Sequence, residues 1–342
     1  MIKKILIALL AVLAAGAASL LILGYARSRT EHGRLDTKAA IVLELRDAFS
    51  GEPVLTAARL REEEISRGRF LQGARVPVAS IEEMKIPGPG GEIGVRVYRP
   101  GKQGPLPALV FYHGGGWVVG SLDTSDNQCR MLSNRASAAV VSVDYRLAPE
   151  HPFPAALEDS YTALEWVSRN AESLGVDPSH IAVGGGSAGG NLAAAVALMA
   201  RDRGGPRIAY QVMIYPATNL VDFSTASHRS FAEGYGLTGE HVEFFRDSYL
   251  PEAADRKSPY ASPLLSESLK GLPPAIVITA GFDVLRDEGI AYAERLEAVG
   301  VPTVRAHYPS MIHGFVSMDR VFGEAEEAID EAAMALSEAF AR

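Results

Sequence analysis

A serine that acts as a nucleophile needs a base to take its proton, an acid to orient the base, and donors for the oxyanion. The sequence offers a candidate for each. Ser187 stands at the centre of Gly185-Gly186-Ser187-Ala188-Gly189, a G-x-S-x-G pattern whose glycines let the chain turn tightly enough for Oγ to project. In a chain with 33 glycines the pattern alone is weak, and a glycine-rich turn without chemistry reads the same. Its context is more specific. Ile181-Ala182-Val183 before it reads as a strand, and Ser187 to Ala200 reads as an Ala/Leu-rich helix, whose N-terminus presents N–H groups to developing negative charge.

The partners follow in chain order. Asp283 comes just after the apolar run Ala275 to Thr279, at its C-terminal end. Asp287 and Glu288, one turn further on, read as helix-start charges. His313 lies in Ser310-Met311-Ile312-His313-Gly314-Phe315, between the last strand and the last helix, whereas His307 falls within the strand. The order Ser187, Asp283, His313 suits a base held by a carboxylate and set against a hydroxyl. His113-Gly114-Gly115-Gly116-Trp117 follows another apolar run, ending at Tyr112. Such a loop brings backbone N–H groups close to a substrate oxygen, so Gly115 and Gly116, with Ala188, are the candidate oxyanion donors. No Lys follows it as in a phosphate-binding loop. His113 reads as an orienting residue, and Trp117 and Phe315 as candidate pocket walls that a packed core would also explain. The chemistry implied is acyl transfer through an acyl-enzyme, and no Cys/His cluster has the spacing of a zinc site.

The elements that must position these groups alternate. Strands are expected at 95–98, 108–112, 138–143, 181–183, 212–215, 275–278 and near Val304, and helices at 155–170, 187–200, 287–298 and 323–340. Alternation of this kind predicts an α/β fold, a mostly parallel sheet flanked by helices, with ligands bound at the C-terminal strand ends. Residues 35–80 read as helical. The aromatic- and charge-rich stretch 217–262 interrupts the alternation between two strands. The two segments are paired here as a candidate cap on a catalytic domain spanning 81–342, with ordinary peripheral helices as the alternative.

Length and composition set limits. The 342 residues carry a net charge of −8. The first 34 hold five basic side chains and one acidic, a balance of +4, which leaves −12 on the body. An acidic body offers no electrostatic footprint for nucleic acid. The single cysteine, Cys129, forms no internal disulfide and reads as a small buried residue. Residues 5–25 are uncharged and as a helix would reach about 31 Å, close to a bilayer's hydrocarbon thickness. Residues 1–34 are therefore read as a membrane anchor or a cleaved signal peptide outside the fold, the anchor being favoured because apolar residues resume at 20–23. The catalytic domain is expected outside the cytoplasm, although the cations on both flanks leave the orientation of an anchor open. The last helix, 323–340, is a candidate homodimer face or a packed core face.

These motifs resemble the hormone-sensitive-lipase group of α/β-hydrolases. The matching stretches are His113 to Trp117, Val143-Asp144-Tyr145-Arg146-Leu147-Ala148-Pro149-Glu150, Gly185 to Leu192, Asp283 to Gly289 and His313-Gly314-Phe315. The resemblance covers about residues 80–342. It implies an α/β-hydrolase fold with a helical cap, short- to medium-chain acyl esters as small-molecule substrates, no cofactor, and the triad named above. One position departs: the family carries Asp or Thr before the serine, and here Gly186 stands there. The anchor is reminiscent of the arylacetamide deacetylases of the same group. Two alternatives stay open: an amidase or deacetylase using the same triad, and a ligand-binding member like the gibberellin receptors, which lack the histidine that this chain retains.

Overall fold

The computed structural model describes residues 16–49 and 55–341. Residues 16–27 form helix α1. Two short strands, β1 (Arg29–Thr30) and β2 (Gly33–Arg34), pair antiparallel and lead into α2 (Thr37–Phe49) and α3 (Ala57–Leu71). A hairpin follows, β3 (Ser80–Gly88) and β4 (Gly91–Arg99). Strands then alternate with helices: β5 (Leu106–Tyr112), α4 (Asp126–Arg135), β6 (Ala139–Asp144), α5 (Ala155–Arg169), β7 (Val176–Gly186), α6 (Ala188–Arg203) and β8 (Gln211–Ile214). Two short helices, α7 (Ala226–Phe231) and α8 (Gly239–Tyr249), precede β9 (Ala275–Phe282), α9 (Arg286–Ala298), β10 (Thr303–Ile312) and α10 (Gly323–Phe340).

Eight of these strands form one sheet in the order β10-β9-β8-β7-β5-β6-β4-β3. The six from β10 to β6 run parallel, and β4 and β3 add an antiparallel edge. The central strands are apolar on both faces: all eight residues of β9 and all four of β8 are buried. That is the pattern of a parallel sheet covered by helices on both sides, as the sequence predicts. α6 is buried on nearly its whole circumference, from Ala188 to Ala200. Only small and aliphatic side chains allow a helix to lie so close to the strands beside it.

Several elements differ from the sequence reading: α4 has no counterpart in it, and β7 and β10 run longer than expected, to Gly186 and Ile312. The helices expected over 35–80 stop at Leu71. Residues 72–79 are irregular because neighbouring side chains take up their backbone groups: Gly73 N–H donates to Asp319, Val76 N–H to Asn127, and Pro77 O accepts from Asn134. β3 was not foreseen, since its exposed Glu82, Glu83 and Lys85 mask the alternation; such charges suit a sheet edge. Residues 16–34, set outside the fold by the sequence reading, instead pack on it. A methyl group on Gly24 would overlap the Ile41 side chain. Arg27 reaches Glu44 at 3.1 Å and Asp47 at 2.9 Å on α2, and donates to Gly234 O at 2.7 Å. Among the described residues no helix is long and apolar enough to cross a membrane. Much of the apolar run, residues 5–15, lies outside them, and Leu21, Ile22 and Leu23 are exposed.

The interrupting stretch 217–262 lies over the C-terminal ends of β5 and β9. The ring of Phe245 on α8 covers Gly116, and Ser227 on α7 accepts from Asp287 N–H and donates to Val284 O. It also meets the N-terminal helices, through Arg46 to Gly236 O at 2.6 Å and the rings of His32 and Phe231 at 5.2 Å. α10 turns Ala325, Ala328, Ile329, Ala332 and Leu336 into the core of its own chain. Cys129 is buried on α4, and burial pushes its thiol up to about 12.

Arg146, in the turn after β6, is anchored by the buried Asp159 on α5. Asp159 accepts from Arg146 N–H at 3.0 Å, Nε at 2.8 Å and Nη2 at 2.8 Å. Removing one partner of such a pair leaves the other uncompensated. Asp159→Ala is expected to cost about 3 kcal/mol, read in urea as a lower midpoint at unchanged slope.

Candidate active site

The site grows from the turn between β7 and α6. Ser187 has φ 55° and ψ −119°, a conformation that side chains other than glycine rarely adopt. Its N–H donates to Ile214 O on β8 at 2.8 Å. The flanking glycines are required by close approach: a methyl group on Gly185 or on Gly189 would run into the carbonyl oxygen of Tyr112 on β5. The turn is thus wedged between two strands, and Oγ points away from them.

Oγ meets His313. Nε2 of His313 is 3.0 Å from Ser187 Oγ, and Nδ1 is 2.8 Å from Asp283 Oδ2. The other carboxylate oxygen, Oδ1, accepts from Leu285 N–H at 2.9 Å. With Asp283 as acceptor, Nδ1 carries the proton and Nε2 is left to accept from the serine hydroxyl. Asp283 is 1% exposed. The three side chains named from sequence therefore meet in one hydrogen-bonded chain. His307, the competitor, bonds Thr279 instead.

The glycine loop lies beside this turn. A methyl group on Gly114 would sit 2.9 Å from Gly186 O and 3.6 Å from Ser187 Cβ. Gly115 and Gly116 have φ 117° and 58°, and Gly115 O accepts from the N–H groups of Val118 (3.1 Å) and Val119 (2.9 Å). Ala188 is the first residue of α6, where a helix leaves its N–H groups without internal acceptors. His113 is fully buried, stacked on Tyr145 at 4.2 Å, with Nδ1 donating to Gly114 O at 2.7 Å. Burial pushes it down to about 4. It is neutral and holds the loop.

Trp117 and Phe315, the candidate pocket walls, are both buried. Trp117 lies flat on Tyr249 of α8, ring centres 4.5 Å apart. Phe315 exposes no surface and packs between Tyr215 and Tyr308. Of four further neighbours, the sequence reading names no role for Tyr215 and Asn191, takes Phe245 only as one of the cap aromatics and takes Glu288 as a helix-start charge. Tyr215, with φ 37°, sets its ring 4.7 Å from that of His313. Asn191 donates to Ala217 O and Ala261 O, both at 2.8 Å. Phe245 covers Gly116. Glu288 is no helix-start surface charge: it is 1% exposed, and its Oε1 accepts from Thr218 N–H and Asn219 N–H. Tyr215 and Asn191 were within reach of the rule that strand C-termini carry the site. The aromatic-rich stretch 217–262 marks Phe245 only as one of a group, and nothing local marks the burial of Glu288. Among the described residues no group of His, Cys, Asp or Glu is arranged to hold a metal ion.

Comparison with known proteins agrees with this architecture. Residues 109–317 match the model of the family described as "alpha/beta hydrolase fold". The chain belongs to the α/β-hydrolase family, in its hormone-sensitive-lipase-like group. Carboxylic ester hydrolase LipN of Mycobacterium tuberculosis is 45% identical over 262 residues, 75% of this chain and 69% of that protein. An arylesterase of Saccharolobus solfataricus is 41% identical over 245 residues, 71% of this chain and 79% of its own. The crystallised hyperthermophilic esterase of the archaeon Pyrobaculum calidifontis superposes with a TM-score of 0.84 at 44% identity, covering 89% of this chain and 98% of its own.

Two predictions follow from the packing. At Gly186 a methyl group would meet only the Tyr215 ring, at 3.4 to 3.9 Å, so Gly186→Ala should fold and melt much as the parent does. Gly189→Ala, forced against Tyr112 O, should yield little soluble protein. Thermal scans of the two variants side by side make the comparison. Glu288 concerns pH. Burial, together with the charges of Asp283 and Asp287, raises it from 4.5 to about 8, against the opposing bonds from Thr218 and Asn219. Its neutral form is favoured in the fold, so its stabilising contribution is complete below the ordinary carboxylate range and is lost as pH rises toward about 8. Glu288→Gln should therefore flatten the fall of Tm between pH 5 and about 8. A Tm that falls as steeply in the variant would contradict this.

Proposed function

We infer that the chain is a serine carboxylester hydrolase, with Ser187 as nucleophile, His313 as base and Asp283 as the acid that orients it. The observation that carries this reading is the continuous hydrogen-bond chain from Asp283 through His313 to Ser187. A serine hydroxyl is a poor nucleophile until a neighbouring base takes its proton. Oγ attacks the ester carbonyl carbon as its proton passes to His313 Nε2. The carbonyl oxygen becomes an oxyanion, held by the N–H groups of Gly115, Gly116 and Ala188. Each such donor contributes about 3–4 kcal/mol. The tetrahedral intermediate collapses, the C–O bond to the alcohol breaks, and His313 returns the proton to the leaving alkoxide. Water then attacks the acyl-enzyme with His313 again as base, releasing the acid and restoring Ser187. Asp283 keeps the imidazole in the right tautomer and stabilises the imidazolium. The hydrogen bond between His313 and Ser187 favours turnover over simple ligand binding.

We read α2, α3 and residues 217–262 as the cap over this site, and short- to medium-chain acyl esters as its substrates. The support is the aromatic cover on the glycine loop: Phe245 lies over Gly116 and Tyr249 stacks on Trp117. Residues 5–25 are proposed as a membrane tether or a cleaved leader, on the strength of their uncharged sequence and the cations at both flanks. A cleaved leader would place the site outside the cytoplasm; for an anchor, the cations on both flanks leave the side open.

Three outcomes are expected. Hydrolysis of nitrophenyl esters from acetate to palmitate should peak at short acyl chains and vanish in Ser187→Ala; full activity in that variant would rule out the nucleophile. Asp283→Asn should lower kcat by roughly 10³–10⁴-fold with little change in KM, since the wrong tautomer is then favoured. Full-length protein expressed in cells should stay in the membrane pellet after an alkaline carbonate wash if residues 5–25 are an anchor. Release of a shortened chain into the medium would identify them as a leader.

A further inference from the structure

The buried carboxyl of Glu288 has no part in the mechanism above, and its burial is costly: an aliphatic side chain would fill the same space without desolvating a carboxyl. Oε2 has no hydrogen-bond partner among the described residues. Oε1, by contrast, gathers Thr218 N–H at 2.6 Å and Asn219 N–H at 3.1 Å, and the Glu288 carbonyl accepts from Thr218 Oγ1 at 2.9 Å. Three bonds thus join the start of α9 to one short segment, residues 215–219.

That segment touches two members of the triad, His313 and Ser187, and is bonded to the helix start that follows the third. At its first residue the ring of Tyr215 lies 4.7 Å from the His313 ring, and Tyr215 N–H is fixed to Ile278 O at 2.6 Å. Pro216 abuts Gly190 on α6 so closely that a methyl group there would stand 2.9 Å from Pro216 Cβ. Ala217 N–H points at the carbonyl oxygen of Ser187 at 3.4 Å, and Ala217 O accepts from Asn191 at 2.8 Å. Thr218 and Asn219 are held by Glu288, five residues beyond Asp283 and on the same turn-and-helix unit.

We propose that Glu288 is a positioning residue for the hydrolytic reaction: through the amides of Thr218 and Asn219 it sets the 215–219 segment, and with it the distance between His313 and Ser187. The proposal rests on the triad reading given above. It acts by geometry alone. A displacement of about 1 Å in a group that positions reacting atoms can cost about 10²-fold in rate, and the Tyr215 ring is the contact through which such a displacement would reach the base. The charged groups near Glu288 are Asp283 and Asp287, and neither bonds it.

The test uses the full chain with Glu288→Gln and Glu288→Leu. Competent sites are counted first, by stoichiometric release of nitrophenol from a nitrophenyl phosphonate, and kcat on nitrophenyl acetate is then expressed per titrated site. The glutamine amide oxygen can take both N–H donors, so Glu288→Gln should keep kcat per site within about threefold; Glu288→Leu should lose at least about tenfold with KM within about twofold. In a Tyr215→Leu background the further loss from Glu288→Leu should largely disappear, because the two residues act along one path. A leucine variant with parental kcat per site, or equal losses in both variants, overturns the proposal, since a merely structural role alters the number of sites and not their turnover. Should Glu288→Leu fail to fold, Glu288→Asp, one methylene too short to reach the amides, is held to the same criterion. Absence of phosphonate titration in the parent chain would instead defeat the triad reading.

Discussion

A single backbone conformation organises the molecule. Ser187 sits at φ 55° between a strand and a helix, and an isolated chain would leave that region at once. It is held from three sides: Ile214 O accepts its N–H, Ala217 N–H approaches its carbonyl, and the Tyr112 carbonyl fills the space that a side chain at Gly185 or Gly189 would need. The strands supplying those groups, β5, β7 and β8, are the buried centre of the sheet. The apolar packing that stabilises the sheet thereby maintains a strained turn, and the turn delivers a hydroxyl to the C-terminal edge where loops can meet it.

The other groups are brought there by the same topology. β9 and β10 lie on one side of the turn and are followed, one residue past each, by Asp283 and His313; β5 lies on the other side and leads into the glycine loop. Each loop is fixed by its own local device. His113, neutral and stacked on Tyr145, holds the glycine loop through Gly114 O. Leu285 N–H orients the Asp283 carboxylate. Residues 215–219 run between the turn and the base. α8 lays Phe245 on Gly116 and Tyr249 on Trp117.

The sequence made the parallel sheet and the order Ser187, Asp283, His313 legible because both leave local marks. Buried strands are continuous apolar runs, and a nucleophile turn needs glycines at fixed offsets. What it hid depends on contacts between distant segments. Glu288 looks like any acidic residue in the first turn of a helix, yet its partners lie 69 and 70 residues earlier. Phe315 reads as an aromatic beside a catalytic histidine, and only packing against Tyr215 and Tyr308 shows which way it faces. The charge of Arg27 suggests the flank of a membrane segment, whereas its ion pairs to Glu44 and Asp47 tie α1 to α2. β3 was missed because an exposed edge strand carries little apolar pattern.

The central claim is that Ser187 is acylated and that His313 drives the step. Rapid quenching of the enzyme during turnover of nitrophenyl acetate, followed by mass spectrometry of its peptides, tests it most directly. The account predicts an acetyl group on the peptide containing Ser187 within the first turnover, and none when His313 is replaced by alanine. Hydrolysis at full rate with no acetylated peptide, or acetylation of a different residue, would contradict it.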